Sequence, residues 1–195
     1  MRRSLTVVVP LLPLLVIGAG CSGSDADDDG TSGAVSVVVH DGLCLDAPIA
    51  ERPVVELIPD AIEVVANISD TMDAAGAEPE FYEISADRQR VSLIVAAPDG
   101  TAQQVLYCGG GQYVPASSLG EASGATFEGS AVDVDLDVVF EQLDEELDDP
   151  DIADFAIVGD GEGGVLYDAT VQSTAGGALL VRLSADGAVL AVQAR

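Results

Sequence analysis

Side chains that could act as nucleophiles, general acids or metal ligands are unevenly supplied in this chain. It contains three cysteines, one histidine (His40) and no tryptophan, whereas Asp and Glu together number 34. A zinc site needs several imidazoles or closely spaced thiolates, and a Ser-His-Asp triad needs an imidazole beside a serine. His40 is the only imidazole, and no G-x-S-x-G nucleophile elbow occurs. The residue types therefore predict no catalytic site, no metal site and no cofactor.

The first 20 residues have the three parts of a secretory signal. A pair of arginines opens them, an apolar stretch covers residues 5–17, and three small residues precede Cys21. The apolar stretch is shorter than the roughly 20 residues that a transmembrane helix needs, and it contains Pro10 and Pro13. We therefore expect a cleaved leader rather than a permanent membrane span.

The string Gly18-Ala19-Gly20-Cys21 resembles the lipobox of bacterial lipoproteins, in which the cysteine is lipidated and becomes the mature N-terminus. That family usually has leucine where this chain has Gly18. The resemblance implies export and a lipid anchor on Cys21, at the extracytoplasmic face of the cell membrane. The alternative is an ordinary signal peptide cleaved near Ala19. Residues 21–33, rich in Gly, Ser and Asp, are typical of a flexible acidic linker.

Cys44 and Cys108 remain once Cys21 is assigned to the lipid. An exported protein meets an oxidising compartment, so we expect these two residues to form a disulfide. In the chain-entropy model, closing a loop of about 65 residues stabilises the fold by about 4 kcal/mol. The alternative is a reactive thiol at Cys44 beside His40, but the segment lacks the electropositive surroundings that activate a thiol.

Residues 159–164 satisfy the G-x-G-x-x-G pattern of dinucleotide-binding loops. Such a loop opens into a helix whose N-terminus faces the pyrophosphate, whereas a β-rich run begins here at Val165. Asp160 and Glu162 would also repel phosphate. The pattern therefore predicts a hairpin turn and not a nucleotide site.

Acidic residues are most dense in one short stretch. It consists of Asp144, Glu145, Glu146, Asp148, Asp149, Asp151 and Asp154. Calcium or a basic partner could bind there, but acids are common throughout the chain, so we expect the solvated end of a helix. Residues 25–30 match the first half of an EF-hand loop, yet Ser36 stands where that loop needs a bidentate glutamate.

The formal net charge of −27 at pH 7 limits the possible partners. Nucleic acid is excluded, because each phosphate contact needs a cation and the chain has only 7 Lys and Arg. Its hydrophobic fraction of 48% is sufficient for a core, so we expect a folded body rather than general disorder.

Hydropathy patterns divide the body into helices and strands. A helix is predicted from near Pro59 to Gly76, and a second helix ends before Pro150. Valine and leucine alternate with aspartate over residues 132–138, which favours a strand that enters the second helix near Asp135. The remaining strand-like runs cover residues 34–39, 81–85, 91–97, 102–108, 155–158, 165–171, 178–183 and 188–192.

A constant offset of 74 residues lays Phe81 on Phe155 and Val91 on Val165. We therefore expect an α+β fold of two tandem helix-plus-antiparallel-meander (αβββ) units, forming one small domain or two packed subdomains. The αβββ order resembles small exported domains of the PepSY-like type, and tandem copies are similar in outline to the β-lactamase inhibitor protein fold. The alternative is an accidental match between two similarly patterned stretches.

The expected organisation has five parts. They are a signal peptide (1–20), an acidic linker (21–33), a first αβ unit (34–114), a connector (115–129) and a second αβ unit (130–195). The chain is thus expected to be a lipid-anchored, exported binding or interaction protein without catalytic activity. Its partners are expected to be the membrane, through the lipid on Cys21, and an unidentified protein or small ligand. The alternatives are an acidic calcium- or salt-dependent envelope module and an enzyme.

Overall fold

The computed structural model describes residues 38–39, 44, 46–71, 78–132, 135–147, 149–172, 176–184 and 186–195. The predicted lipidation site Cys21 and the single histidine, His40, lie outside these residues, as do the predicted leader and linker.

Within these residues, ten strands form one sheet. They are β1 (Val38–Val39), β2 (Glu80–Ala86), β3 (Val91–Ala96), β4 (Thr101–Gly109), β5 (Gln112–Glu121), β6 (Phe127–Glu128), β7 (Asp151–Gly159), β8 (Val165–Gln172), β9 (Ala178–Leu183) and β10 (Val189–Ala194). The helices are α1 (Ile58–Thr71) and α2 (Leu136–Glu146). Short 3-10 turns cover Val55–Leu57 and Gly129–Ala131.

The strand order along the sheet is β1-β5-β4-β3-β2-β7-β8-β9-β10, and β6 pairs with β2. The pairing of β1 with β5 is parallel, and all the other described pairings are antiparallel. The sheet is therefore a meander on each side of a central β2–β7 pair.

The predicted α+β fold of two tandem αβββ units is wrong. The chain forms one mostly antiparallel sheet with two short helices, and β2 pairs directly with β7 through partners such as Ile84 and Ile157. Residues 115–129 were expected to be a connector because they are rich in Ser, Gly and Ala, yet they contribute most of β5 and all of β6. Local patterns indicate strands, but pairing between strands depends on contacts that are distant in sequence.

The 74-residue offset between the two halves of the sequence also gives the wrong alignment of β2 with β7. β2 and β7 have the same order of buried and exposed positions, and each contains a register shift near its start. The buried residues are Phe81, Ile84 and Ala86 in β2, and Ile152, Phe155 and Ile157 in β7. The counterpart of Phe81 is thus Ile152, three residues before the Phe155 that the offset gives.

Both helices cover the same face of the sheet. The cross-strand partners Ile84 and Ile157 are fully buried, in one core with Val65 of α1 and Leu143 of α2. α1 contacts β3 and β4. Burying these apolar residues is the main favourable term in folding.

The start of α2 lies close to the position that the sequence predicts. The Asp135 side chain caps the helix by accepting a hydrogen bond from the Asp137 backbone N–H at 3.1 Å. Val139 and Leu143, four residues apart, are both fully buried, as the amphipathic stripe predicts. α2 begins at Leu136, close to the boundary expected near Asp135, and the strand expected before it includes residues 133–134, which lie outside the described residues.

The segment before α1 is fastened to the sheet at two points. A disulfide joins Cys44 to Cys108 of β4, with Cα atoms 5.4 Å apart, so the predicted pairing is confirmed. Further along, the Val54 backbone N–H donates to the Asp87 carbonyl in the β2–β3 turn, at 2.9 Å. Residues 46–57 therefore lie along the end of the first hairpin before α1 begins.

Candidate functional site

A cleft of about 420 Å³ opens beside the first residues of β2. Its walls come from β2, from β6 with the turn that follows, and from the β7–β8 turn. The lining residues are Glu80, Thr126, Phe127, Glu128, Ser130, Ala131 and Gly163. This acidic cleft is the candidate binding site of the described chain.

The β2–β6 ladder places two carboxylates side by side at the cleft. Glu80 is the direct partner of Glu128, and Phe81 is the direct partner of Phe127. Neighbouring side chains on a strand point to opposite faces, so the phenylalanines enter the core while the glutamates face outward. The centroids of the two buried rings lie 6.0 Å apart, and the packing of these rings holds the short β2–β6 ladder in place.

Hydroxyl and amide donors surround these carboxylates and that of the nearby Glu78. The Thr126 hydroxyl donates to Glu80 Oε2 at 2.9 Å, and the Ser130 backbone N–H donates to Glu78 Oε1 at 3.3 Å. The Ser130 hydroxyl lies 3.5 Å from Glu128 Oε2. None of the residues that line the cleft is basic. Like charges directly opposite each other destabilise a sheet, so the arrangement favours a cationic group in the cleft.

The cleft is closely packed on its core side. A Cβ atom added to Gly129 would lie 2.6 Å from Ile62 Cγ2 of α1 and 3.5 Å from a ring carbon of Phe81. Only glycine permits this approach of the 3-10 turn to the helix without movement of one of them. The position of Ser130, the next residue, depends on that contact.

The cleft brings together two potential metal-ligating carboxylates, Glu80 and Glu128. Within the described residues, no group of three or more His, Cys, Asp or Glu side chains is placed to hold a metal ion. Paired carboxylates without a basic neighbour in the lining can attract and hydrogen-bond an ammonium or guanidinium group.

The G-x-G-x-x-G stretch forms the hairpin turn between β7 and β8, as predicted. The Asp160 carboxylate accepts hydrogen bonds from the backbone N–H groups of Glu162 at 2.7 Å and Gly164 at 2.9 Å. Gly161 has a φ of +86°, which glycine adopts readily. A strand follows the turn and no helix does, so the geometry of a nucleotide loop is missing.

Arginines compensate part of the dense acid cluster. Arg52 donates to Asp144 at 2.9 Å and lies 5.9 Å from the centre of the Phe140 ring. Arg88 forms an ion pair with Asp151 at the start of β7. The cluster is therefore divided between the end of α2 and the first residues of β7, with an arginine at each part.

Sequence reasoning missed both arginine partners. Arg52 is 92 residues from Asp144, and Arg88 is 63 residues from Asp151, so no local pattern connects them. One signal for these ion pairs is present in the sequence. Basic residues are scarce in so acidic a chain, so each arginine is expected to lie beside an acid.

Asp154 is the member of the cluster whose titration the fold alters most clearly. Burial raises the pKa of this half-buried carboxyl, and the nearby charges of Glu83 and Asp87 raise it further, while Arg195 opposes them. A carboxyl in this environment favours its neutral form.

The predicted site residues have two outcomes. Cys44 and Cys108 are joined. Cys21 and His40 lie outside the described residues, as does Asp148 of the acid cluster.

Neither described helix combines the length and the apolar character that a membrane span needs. No protein-family model matches the chain, and neither a curated protein nor a solved structure was found to be similar to it.

Proposed function

We propose that this chain is an exported protein, held at the extracytoplasmic face of the membrane by lipid on Cys21, that binds a partner and catalyses no reaction. The observation that carries the export proposal is the Cys44–Cys108 disulfide. Disulfides persist in oxidising compartments and are rare in the cytosol. Export thus has two independent supports. One is the disulfide, and the other is the leader with its lipobox-like string Gly18–Cys21.

The acidic cleft supports the binding part of the proposal. Glu80 and Glu128 face each other across the β2–β6 ladder, and no lining residue neutralises them. The partner that fits this chemistry is a protein or small ligand with an exposed cationic group. Negative charge over the whole chain would increase its rate of approach at low salt.

Lipid anchoring is tested on the mature N-terminus. We expect mass spectrometry to find a lipid-modified Cys21, and Cys21→Ala to release the protein from membranes into the soluble fraction. Release should be nearly complete, because stable anchoring depends on two or more acyl chains. An unmodified Cys21 in a soluble wild-type protein would overturn the proposal and favour the ordinary signal peptide.

Binding at the cleft is tested by calorimetric titration of an arginine-rich peptide into the full chain. We expect the double variant Glu80→Gln, Glu128→Gln to bind the peptide at least tenfold more weakly than the wild type. The matched control, Glu145→Gln with Glu146→Gln, makes the same change of charge on the exposed end of α2 and should have little effect. Equal losses in both variants would show that only overall charge matters.

The alternative is an acidic calcium- or salt-dependent envelope module, and the same pair of glutamates is the observation that favours it. A parallel titration with CaCl2 separates the two functions. Calcium binding at micromolar to millimolar concentration, lost in the Glu80→Gln, Glu128→Gln variant and not reproduced by NaCl, would establish the calcium module in place of the peptide-binding protein.

A further inference from the structure

The two edges of the sheet differ in what covers them. β5 is paired on its outer side with β1 at its first two residues, Gln112 and Tyr113, and the rest of that edge contains Pro115 and Glu121. β10 is paired with β9 only, and no described strand lies on its other side. The side chains of Leu190 and Val192 on β10 are 57% and 49% exposed.

The backbone of β10 offers hydrogen-bonding groups on that open side. The Arg195 N–H donates to the Ala178 carbonyl at 2.9 Å, so the groups of Arg195 point toward β9. In an antiparallel ladder the direction alternates with each residue. Val192 and Ala194, which face Val181 and Leu179 in the pairing, therefore direct their N–H and C=O groups away from the sheet.

Among the described residues, β10 has few of the features that usually keep an edge strand from pairing. Natural sheets protect their edges with lysine, proline, β-bulges, inward-pointing charges or a covering segment. β10 contains no proline and no charged residue, although one register shift falls near Leu190. From Gly187 to the end of the described chain there is no acid, and Arg195 carries the only side-chain charge.

We propose that β10 is the site where a second copy of this chain binds, with the two β10 strands paired antiparallel about a two-fold axis. This pairing is self-complementary, because the same edge supplies donors and acceptors to both copies. The charge of the chain favours this edge. Two molecules of net charge −27 repel each other, but β10 contains no acid, so two β10 strands can pair without placing carboxylates opposite each other. The inference does not depend on the lipid anchor.

Cysteine cross-linking in the full chain tests the pairing. In an antiparallel hydrogen-bonded pair the Cα atoms are about 5.5 Å apart, within the range of about 4.4–6.8 Å that a disulfide spans. A pair centred on Val192 should therefore cross-link when Val192→Cys is oxidised in the host cell. We expect a covalent dimer to form at least tenfold faster than in the two controls, Val138→Cys on α2 and Leu119→Cys on β5.

The controls are matched in exposure, since Val138 is 48% and Leu119 is 52% exposed. Wild type, oxidised in parallel, reports any cross-linking through Cys21. Adding Ala194→Pro to Val192→Cys removes an outward N–H without breaking a bond to β9, and should slow dimer formation by tenfold or more. Equal rates for Val192→Cys and Val138→Cys would overturn the proposal, as would an unaffected Pro variant. Faster cross-linking of Leu119→Cys would assign the contact to the β5 edge.

Discussion

Two acidic regions of the molecule differ in what stands opposite their carboxylates. At the end of α2 and the start of β7, Asp144 and Asp151 each pair with an arginine from a distant part of the chain. In the cleft, Glu80 and Glu128 face each other and meet only neutral donors. The few arginines thus compensate one acidic region and not the other, and the uncompensated pair is where we propose that an external cationic group binds.

The largest effect should come from the packing that supports the cleft. We expect Gly129→Ala to lower the free energy of unfolding by about 1–3 kcal/mol, because its Cβ would overlap Ile62 Cγ2. Chemical denaturation measures the loss. In the background of Ile62→Ala the same substitution should cost clearly less, and an unchanged cost there would show that the overlap is not the cause.

Removing an arginine tests the compensated region. Arg88 pairs with Asp151 and also lies 3.4 Å from the Ile152 carbonyl oxygen, so we expect Arg88→Met to lower the free energy of unfolding by about 1 kcal/mol. Arg52→Met is the matched control, and its more exposed pair should lose at most about 0.5 kcal/mol. If both variants are as stable as the wild type, the arginines do not compensate the cluster.

Asp154 tests the same region through pH. Its pKa is raised in the folded state, so the folded protein binds more protons than the unfolded chain between the ordinary aspartate pKa and the raised one. The contribution of Asp154 to stability therefore falls as pH rises through that window.

We expect Asp154→Asn to be more stable than the wild type at pH 7, by less than about 1 kcal/mol, and to lose this advantage near pH 3. Thermal melting of both proteins across this pH range measures the difference. A variant that gains stability only at low pH would contradict the assigned direction.

The smallest effect concerns the uncompensated pair itself. Replacing Glu128 by glutamine should raise the free energy of unfolding by about 0.2–1 kcal/mol at low salt, because cross-strand repulsion is removed. In 1 M NaCl, where the Debye length is about 3 Å, the gain should nearly vanish. Glu121→Gln on β5, an exposed acid whose cross-strand partner is the neutral Thr101, gives the reference. If Glu128→Gln and the reference variant raise the free energy of unfolding equally, Glu80 and Glu128 do not repel each other more than other exposed acids do.

Local structure was predictable wherever nearby residues determine it. The stripe with Val139 and Leu143 indicates α2, and the acidic turn at Asp160 indicates the β7–β8 hairpin. The order of strands in the sheet was not predictable, because β2 meets β7 through contacts such as Ser85 with Ala156, far apart in sequence. β5 was missed since its small polar residues have weak strand propensity and depend on pairing with β4.

The candidate site was hidden for the same reason. Glu80 and Glu128 are ordinary acids among many in the sequence, and only the β2–β6 ladder makes them neighbours. The disulfide, in contrast, was predictable because the chain offers few cysteines and the leader indicates an oxidising compartment.

The link from Cys44 to β4 also has a mechanical consequence. Tension applied through the part of the chain before Cys44 first meets the two-residue β1–β5 contact, which can peel away at low force. It then reaches a covalent bond to Cys108, in a strand held between β3 and β5. Residues 45–107, which include α1, β2 and β3, lie inside the covalent loop and carry none of the load. A pulling experiment on the oxidised protein should therefore show a short extension and then a rise in force, and these elements should add nothing to the extension while the disulfide is intact.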